Sequence, residues 1–319
     1  MTGPENAPRG PMAPVPYILA RTCPDPRGNC FEPEGPQTMI NPLRLLLIGA
    51  LLLSPLAARA ETHATCAGFI DSVPTAINTQ GTWCLRHDLS TAVTMGSAIE
   101  ISTNNVTIDC NNFKLGGLAA GVSSMAMGIR TANHQNITVR NCNVRGFNIG
   151  INFYGGAGHL VEDNRLDNNL VYGIYVYAGN SLIRRNRVFD TGGSPGEPAP
   201  TGIWASANIF DNEISGVFGS AANVYPRGIV HMLTGGGVIQ GNHVSGLATS
   251  GAGTAQGIAA SSSGTRVQGN HISAQAMTNG VGVYAPGGAS FCLENTVFNY
   301  QTPLQDCGWS VGNLALNSP

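Results

Sequence analysis

Leu182-Ile-Arg-Arg-Asn-Arg-Val188 sets a hydrophobe, Ile183, three residues before Asn186 and another, Val188, two residues after it. The same phrase recurs around Asn111, Asn164, Asn212, Asn242, Asn270 and Asn295, and a degenerate copy puts Cys142 in the asparagine slot. The preceding hydrophobes are Ile108, Val139, Val161, Ile209, Ile239, Val267 and, in the last copy, Cys292. The following ones are Phe113, Val144, Leu166, Ile214, Val244, Ile272 and Val297. Successive slots lie 22 to 31 residues apart. A period in this range signals stacked units, none of which can bury its apolar face alone. A second phrase falls between the copies: Gly128-Ile129, Gly150-Ile151, Gly173-Ile174, Gly202-Ile203, Gly228-Ile229, Gly257-Ile258 and Gly280-Val281.

Apolar residues alternate over short segments, the period of strands. Val106-Thr-Ile108 and Ile137-Thr-Val139 exemplify one strand, the hydrophobe after the slot starts a second, and Gly173-Ile-Tyr-Val-Tyr177 is a third. Three short strands per period wind one coil, and stacked coils form three parallel sheets around an apolar interior. The asparagine slot is then a bend. Because an amide donates and accepts, identical asparagines on successive coils predict a hydrogen-bonded ladder through Asn111, Asn164, Asn186, Asn212, Asn242, Asn270 and Asn295.

The unbroken repeat argues for one domain in this 319-residue chain. Charged residues make up 11% and the net charge is −2, which excludes a polybasic surface for nucleic acid. Met39-Ile-Asn-Pro-Leu-Arg44, the apolar run Leu45 to Leu56 and Ala58-Arg59-Ala60 read as an export signal cleaved before Glu61. The expected localisation is therefore secreted or periplasmic, with no membrane span in the mature protein. The Pro-rich residues 1–38 read as an upstream extension of a true start at Met39, or as a disordered leader. A signal near the terminus favours the first.

Export makes disulfides available. Cys66 with Cys84, and Cys292 with Cys307, would staple the two ends of the solenoid, which lack a neighbouring coil. Cys110 and Cys142 lie on successive coils, and the sequence leaves open whether they pair. No C-x-x-C spacing occurs, and neither a metal nor a cofactor is expected.

The opening Ser97-Ala-Ile-Glu-Ile-Ser-Thr-Asn-Asn-Val-Thr-Ile-Asp-Cys-Asn-Asn-Phe-Lys-Leu115, with the repeats after it, resembles the right-handed parallel β-helix proteins of the pectin lyase-like superfamily. The resemblance covers about residues 98–300. It implies an all-β, right-handed, single-stranded parallel β-helix of about eight coils. An N-terminal cap would fill 61–97 and a C-terminal cap or tail 301–319. The fold hosts lyases, hydrolases, epimerases, adhesins and tailspikes, so it does not by itself give a function.

Aligned by coil, most charges face an opposite neighbour: Asp109, Arg140, Glu162, Arg184 in one column and Asp163, Arg185, Asp211 in the next. Such cross-strand pairs are scaffold. A third column reads Arg165, Arg187, Glu213, His243, His271, whose last three members stand in a straight row that does not converge on one ion.

The Gly-Ile strand has two outward columns. One reads Glu100, Arg130, Asn152, Tyr175, Trp204, Val230, Ala259, Gly282, and the other Ser102, Ala132, Tyr154, Tyr177, Ser206, Met232, Ser261, Tyr284. Tyr154, Tyr175, Tyr177 and Trp204 are thereby expected to cluster, as rings that can stack on sugar faces. Connections into this strand are long before Gly128, Gly202, Gly228 and Gly257, which predicts a loop wall along the same face. The expected partner is an extracellular polysaccharide or a cell-surface component, which the face would bind and, as a further option, modify. The alternatives are a structural or adhesive solenoid, and a polysaccharide lyase, hydrolase or epimerase.

The resemblance implies acidic calcium ligands with a basic residue for a lyase, or clustered aspartates for a hydrolase. This chain departs from both. Glu100 and Arg130 are adjacent and set to pair. The remaining catalytic candidates are Arg130 itself and the loop carboxylates Asp190, Glu197 and Asp211.

Overall fold

The computed structural model describes residues 66–232, 236–286 and 290–316. The upstream extension, the export signal and the start at Glu61 lie outside them. Three parallel sheets carry the described residues. The first holds eleven strands, from Gly68–Ile70 to Trp309–Val311, and its strands from Val106–Asp109 onward carry the residues ahead of the repeat slots. Val161, Ile183, Ile209, Ile239, Val267 and Cys292 stand in register along it. The second sheet runs from Leu89–Ser90 to Leu314–Leu316 and aligns Leu115, Val144, Leu166, Val188, Ile214, Val244, Ile272 and Val297. The third begins at Thr75–Ile77 and aligns Ile99, Ile129, Ile151, Ile174, Ile203, Ile229, Ile258 and Val283. These three rows are buried and fill the interior. Each such side chain contributes about 1.5–3 kcal/mol of transfer free energy.

The bend at each slot is made by the residue before it. Asn141, Asp163, Arg185, Asp211 and Glu294 adopt left-handed backbone conformations there, as do Gly241, Gly269 and Gly312. The bend swings the next residue inward, and from Asn164 onward the asparagines stack. Each Nδ2 donates to the Oδ1 of the next coil at 2.9–3.0 Å, through Asn186, Asn212, Asn242, Asn270 and Asn295 to Asn313. The backbone N–H of each donates to the same oxygen, and the Nδ2 also reaches a carbonyl of the preceding coil, as Asn212 reaches Ile183. One side chain therefore ties three coils together.

Four expectations need correction. Relative to Arg140–Val144, the segment Asp109–Leu115 holds two extra residues, since Asp109 pairs with Arg140 and Leu115 with Val144. Leu115, not Phe113, is therefore the inward residue. Asn111 leaves the line of the ladder and donates to the Leu85 carbonyl, while Cys110 turns inward and bonds Cys142. At the other end, Ala259 pairs with Tyr284, so Gly282-Val283 is the repeat copy, not Gly280-Val281. The paired strands also extend past 98–300, from Gly68 to Leu316, and Asn313 adds a rung.

The Gly-Ile phrase has a steric origin. A Cβ on Gly202 would lie 2.5 Å from Ile214 Cγ2 and 2.8 Å from the Gly228 carbonyl oxygen. At this corner the chain of one coil fits against the second-sheet hydrophobe and the next coil's backbone. The glycines of the other copies, Gly282 included, meet equivalent neighbours.

Disulfides join Cys66 to Cys84, Cys110 to Cys142 and Cys292 to Cys307. The charged columns pair across coils: Arg140 with Asp109 at 2.8 Å, Arg184 with Glu162 at 2.7 Å, Arg185 with Asp163 at 2.7 Å and Arg187 with Glu213 at 2.8 Å.

Candidate functional site

The third sheet presents its outer face through residues that alternate with the buried isoleucines. Tyr154 and Tyr177 pair across Ile149–Ala157 and Tyr172–Gly179, and Tyr175 pairs with Trp204 of Thr201–Ala205. The register brings the four predicted rings together. Trp204 lies flat on Tyr175, with centroids 4.6 Å apart and planes 6° from parallel. Tyr177 packs against Trp204 at 6.0 Å and against Tyr154 at 5.6 Å. Tyr154 and Tyr177 keep 52% and 48% of their surface exposed, whereas Tyr175 and Trp204 are half-buried. Exposed, mutually braced rings are rigid and lose little conformational freedom on contact with a ligand.

Tyr172 is a fifth ring, 5.4 Å from Tyr175, which alternation after the glycine did not reveal. It precedes Gly173, where the bend puts two consecutive residues inward and leaves the one before them facing out. Burial raises the pKa of its hydroxyl above the ordinary value. The Glu197 carboxylate raises it further and the Arg227 guanidinium opposes this. Burial, then the neighbouring tyrosines, likewise raise Tyr175. These hydroxyls stay protonated donors across the physiological range.

Beside the rings stand two connections between the second and third sheets. Phe218 N–H donates to the Thr191 carbonyl, Tyr225 N–H to Pro198 and Arg227 N–H to Pro200, so the two loops are zipped together. Glu197 caps its own turn by accepting from Ala199 N–H at 2.9 Å. Arg227 takes part in none of the ion pairs among the described residues, and its Nε is buried without a hydrogen-bond partner.

The catalytic candidates do not assemble. Arg130 Nη1 is held by Glu100 at 2.6 Å, and Ser97 Oγ donates to the other Glu100 oxygen at 2.8 Å. Asp190 follows Arg187–Phe189 at the exit of the second sheet, Glu197 lies in the loop wall, and Asp211 occupies the bend before Asn212. In the histidine column His243 and His271 touch edge to face at 4.8 Å, while Glu213 is engaged by Arg187. Among the described residues no group of three His, Cys, Asp or Glu side chains is placed to hold a metal ion. No helix among them is long and apolar enough to cross a membrane.

Comparison with known proteins adds the following. A family model described as a right-handed β-helix region matches residues 76–225. No curated protein matches the sequence. Among solved structures the chain is similar to the Dettilon tailspike protein, at 13% identity and a TM-score of 0.45, covering 78% of this chain and 60% of that one. It is also similar to the A-module of a mannuronan C-5 epimerase from Azotobacter vinelandii, at 13% identity and a TM-score of 0.41, covering 80% and 92%. An alginate lyase from Paenibacillus gives 13% identity and a TM-score of 0.36, covering 74% and 91%. This chain thus spans about three fifths of the tailspike's length. The coil register and the family match agree: the described residues wind a parallel β-helix, and residues 76–225 of it match the right-handed β-helix region model.

Proposed function

We propose that this is an exported β-helix protein that binds an extended extracellular polysaccharide along the outer face of its third sheet. The observation that carries the reading is the array Tyr154, Tyr177, Trp204, Tyr175 and Tyr172, ordered across neighbouring coils and left open to solvent at one end. Tyr154 and Tyr177, the two exposed rings of the array, offer aromatic surface to a sugar face, and the Tyr175–Trp204 stack braces them. The zipped loops, with Glu197 and Arg227, supply polar groups alongside. Export agrees with three disulfides, which persist in oxidising compartments. Arg130 is locked by Glu100, and the carboxylates Asp190, Glu197 and Asp211 stand on separate elements, which favours binding over turnover.

The test is a glycan array probed with purified protein, followed by titration of the best ligand. Trp204→Ala and Tyr177→Ala should each weaken binding by about tenfold or more, the loss expected of a central aromatic anchor. Binding to no glycan, or binding indifferent to both substitutions, would overturn the proposal. Release of unsaturated or reducing ends from a bound glycan would promote the enzymatic alternative.

A further inference from the structure

Beyond Tyr154 and Tyr177, the chain turns from the third sheet into the first, and here the surface opens into a cleft of about 390 Å³. Its lining includes Asn104, Asn105, Gln135, Asn136, Gly158 and Asn180, from four successive coils. At the strand spacing of parallel sheets the cleft runs about 14 Å along the solenoid axis. Turn geometry explains part of this composition, since Asn105, Asn136 and Asn180 have positive φ. It does not explain all of it. Gly158 satisfies the same geometry on its coil without an amide, and Gln135 is under no such demand.

Some of the amides are committed. Asn136 Nδ2 donates to Asn105 Oδ1 at 2.9 Å, and Asn104 Oδ1 accepts from Gln135 N–H at 2.8 Å. The side chains of Gln135 and Asn180 make no hydrogen bond among the described residues and are exposed. The chain segments that form the cleft (102–106, 133–137, 155–160 and 178–182) contain no Asp, Glu, Lys or Arg, and His134, half-buried beside Gln135, is not among the residues that line it. His159, beneath it, is buried, and burial lowers its pKa. The cleft is therefore an uncharged row of groups that each donate and accept. This matches hydroxyls, which also do both, and gives no counter-charge to a carboxylate or sulfate.

We infer that the amide cleft is a subsite for an uncharged, hydroxyl-rich stretch of the glycan, continuous with the aromatic face. The inference rests on the carbohydrate reading above and narrows it to neutral sugars at this end.

The experiment is isothermal titration of the full chain with cellohexaose, mannohexaose and laminarihexaose, and with hexagalacturonate as the charged comparator. Gln135→Ala and Asn180→Gly (the latter keeps the left-handed turn) are compared with Trp204→Ala. A neutral hexasaccharide should bind in preference to hexagalacturonate, and each amide substitution should weaken it about threefold to tenfold, the loss of one neutral hydrogen bond. If Trp204→Ala abolishes binding while both amide variants bind as the parent does, the aromatic reading stands and the cleft inference fails. If the amide variants weaken binding and Trp204→Ala does not, the cleft stands and the aromatic reading fails. Preference for hexagalacturonate, or binding of no neutral glycan, overturns the cleft.

Discussion

Removing one rung from the middle of the ladder should cost far more than removing the last. Asn212 Oδ1 accepts from both the backbone N–H and the Nδ2 of Asn186, each at 2.9 Å, and its Nδ2 donates to Ile183, Phe210 and Asn242. Asn212→Ala leaves the buried Asn186 N–H without an acceptor and opens a gap that the flanking coils cannot close. An orphaned buried donor costs about 1–3 kcal/mol, and the lost bonds around it bring the total to roughly 3–5 kcal/mol. Asn313 makes the same kind of bonds to Asn295 at 2.9 Å, but it is half-exposed in the terminal coil, where water can replace them. Asn313→Ala should cost about 1 kcal/mol. Urea unfolding of both variants, compared at unchanged m-value, measures the difference. A cost below about 1 kcal/mol for Asn212→Ala, or equal costs at the two sites, would refute the view that the rungs bind the coils together.

Other consequences follow from the same packing. Gly202→Ala should destabilise by about 1–3 kcal/mol, because its Cβ meets Ile214 and the Gly228 carbonyl. Gly179→Ala, with nothing within 4 Å of the added atom, should be close to neutral in the same denaturation assay. The Cys110–Cys142 disulfide closes a 32-residue separation, so Cys110→Ser with Cys142→Ser should cost about 3–4 kcal/mol. His231 is fully buried and burial pushes its pKa from 6.5 down to about 4. The unfolded chain then binds a proton that the folded chain refuses, so this stability is present above pH 6.5 and is lost as pH falls toward 4. His231→Gln should flatten that acid limb of the urea midpoint against pH, and an unchanged slope would remove His231 as its source.

How much of this was legible in the sequence depended on whether a residue had one physical reason to be where it is. The ladder asparagines and the glycines before isoleucine each answer to a single constraint, an interior hydrogen-bonded row or a steric limit, and both patterns are readable as periods. Gly280-Val-Gly-Val283 offered two equivalent copies two residues apart. The pairing of Ile258 with Val283 and the close approach of Gly282 to Val297 select the second. Asn111 stands in a correct phrase but beside a two-residue insertion, which the disulfide accommodates. Asn313 was hidden because Ser310 and Ala315 occupy the positions where the phrase expects hydrophobes, only 18 residues after Asn295. Tyr154, Tyr175, Tyr177 and Trp204 could be grouped from alternation alone. Tyr172 could not, since its outward direction comes from the corner at Gly173.

The central claim is that a glycan lies on the Trp204 face. The chain has three tryptophans, and Trp83 and Trp309 sit in first-sheet strands away from the aromatic array. Titrating 15N-labelled protein with the ligand found on the array and following the three indole N–H signals tests it directly. The Trp204 signal should shift and saturate with the binding curve while the other two stay still. A glycan that binds and leaves Trp204 unmoved would contradict it.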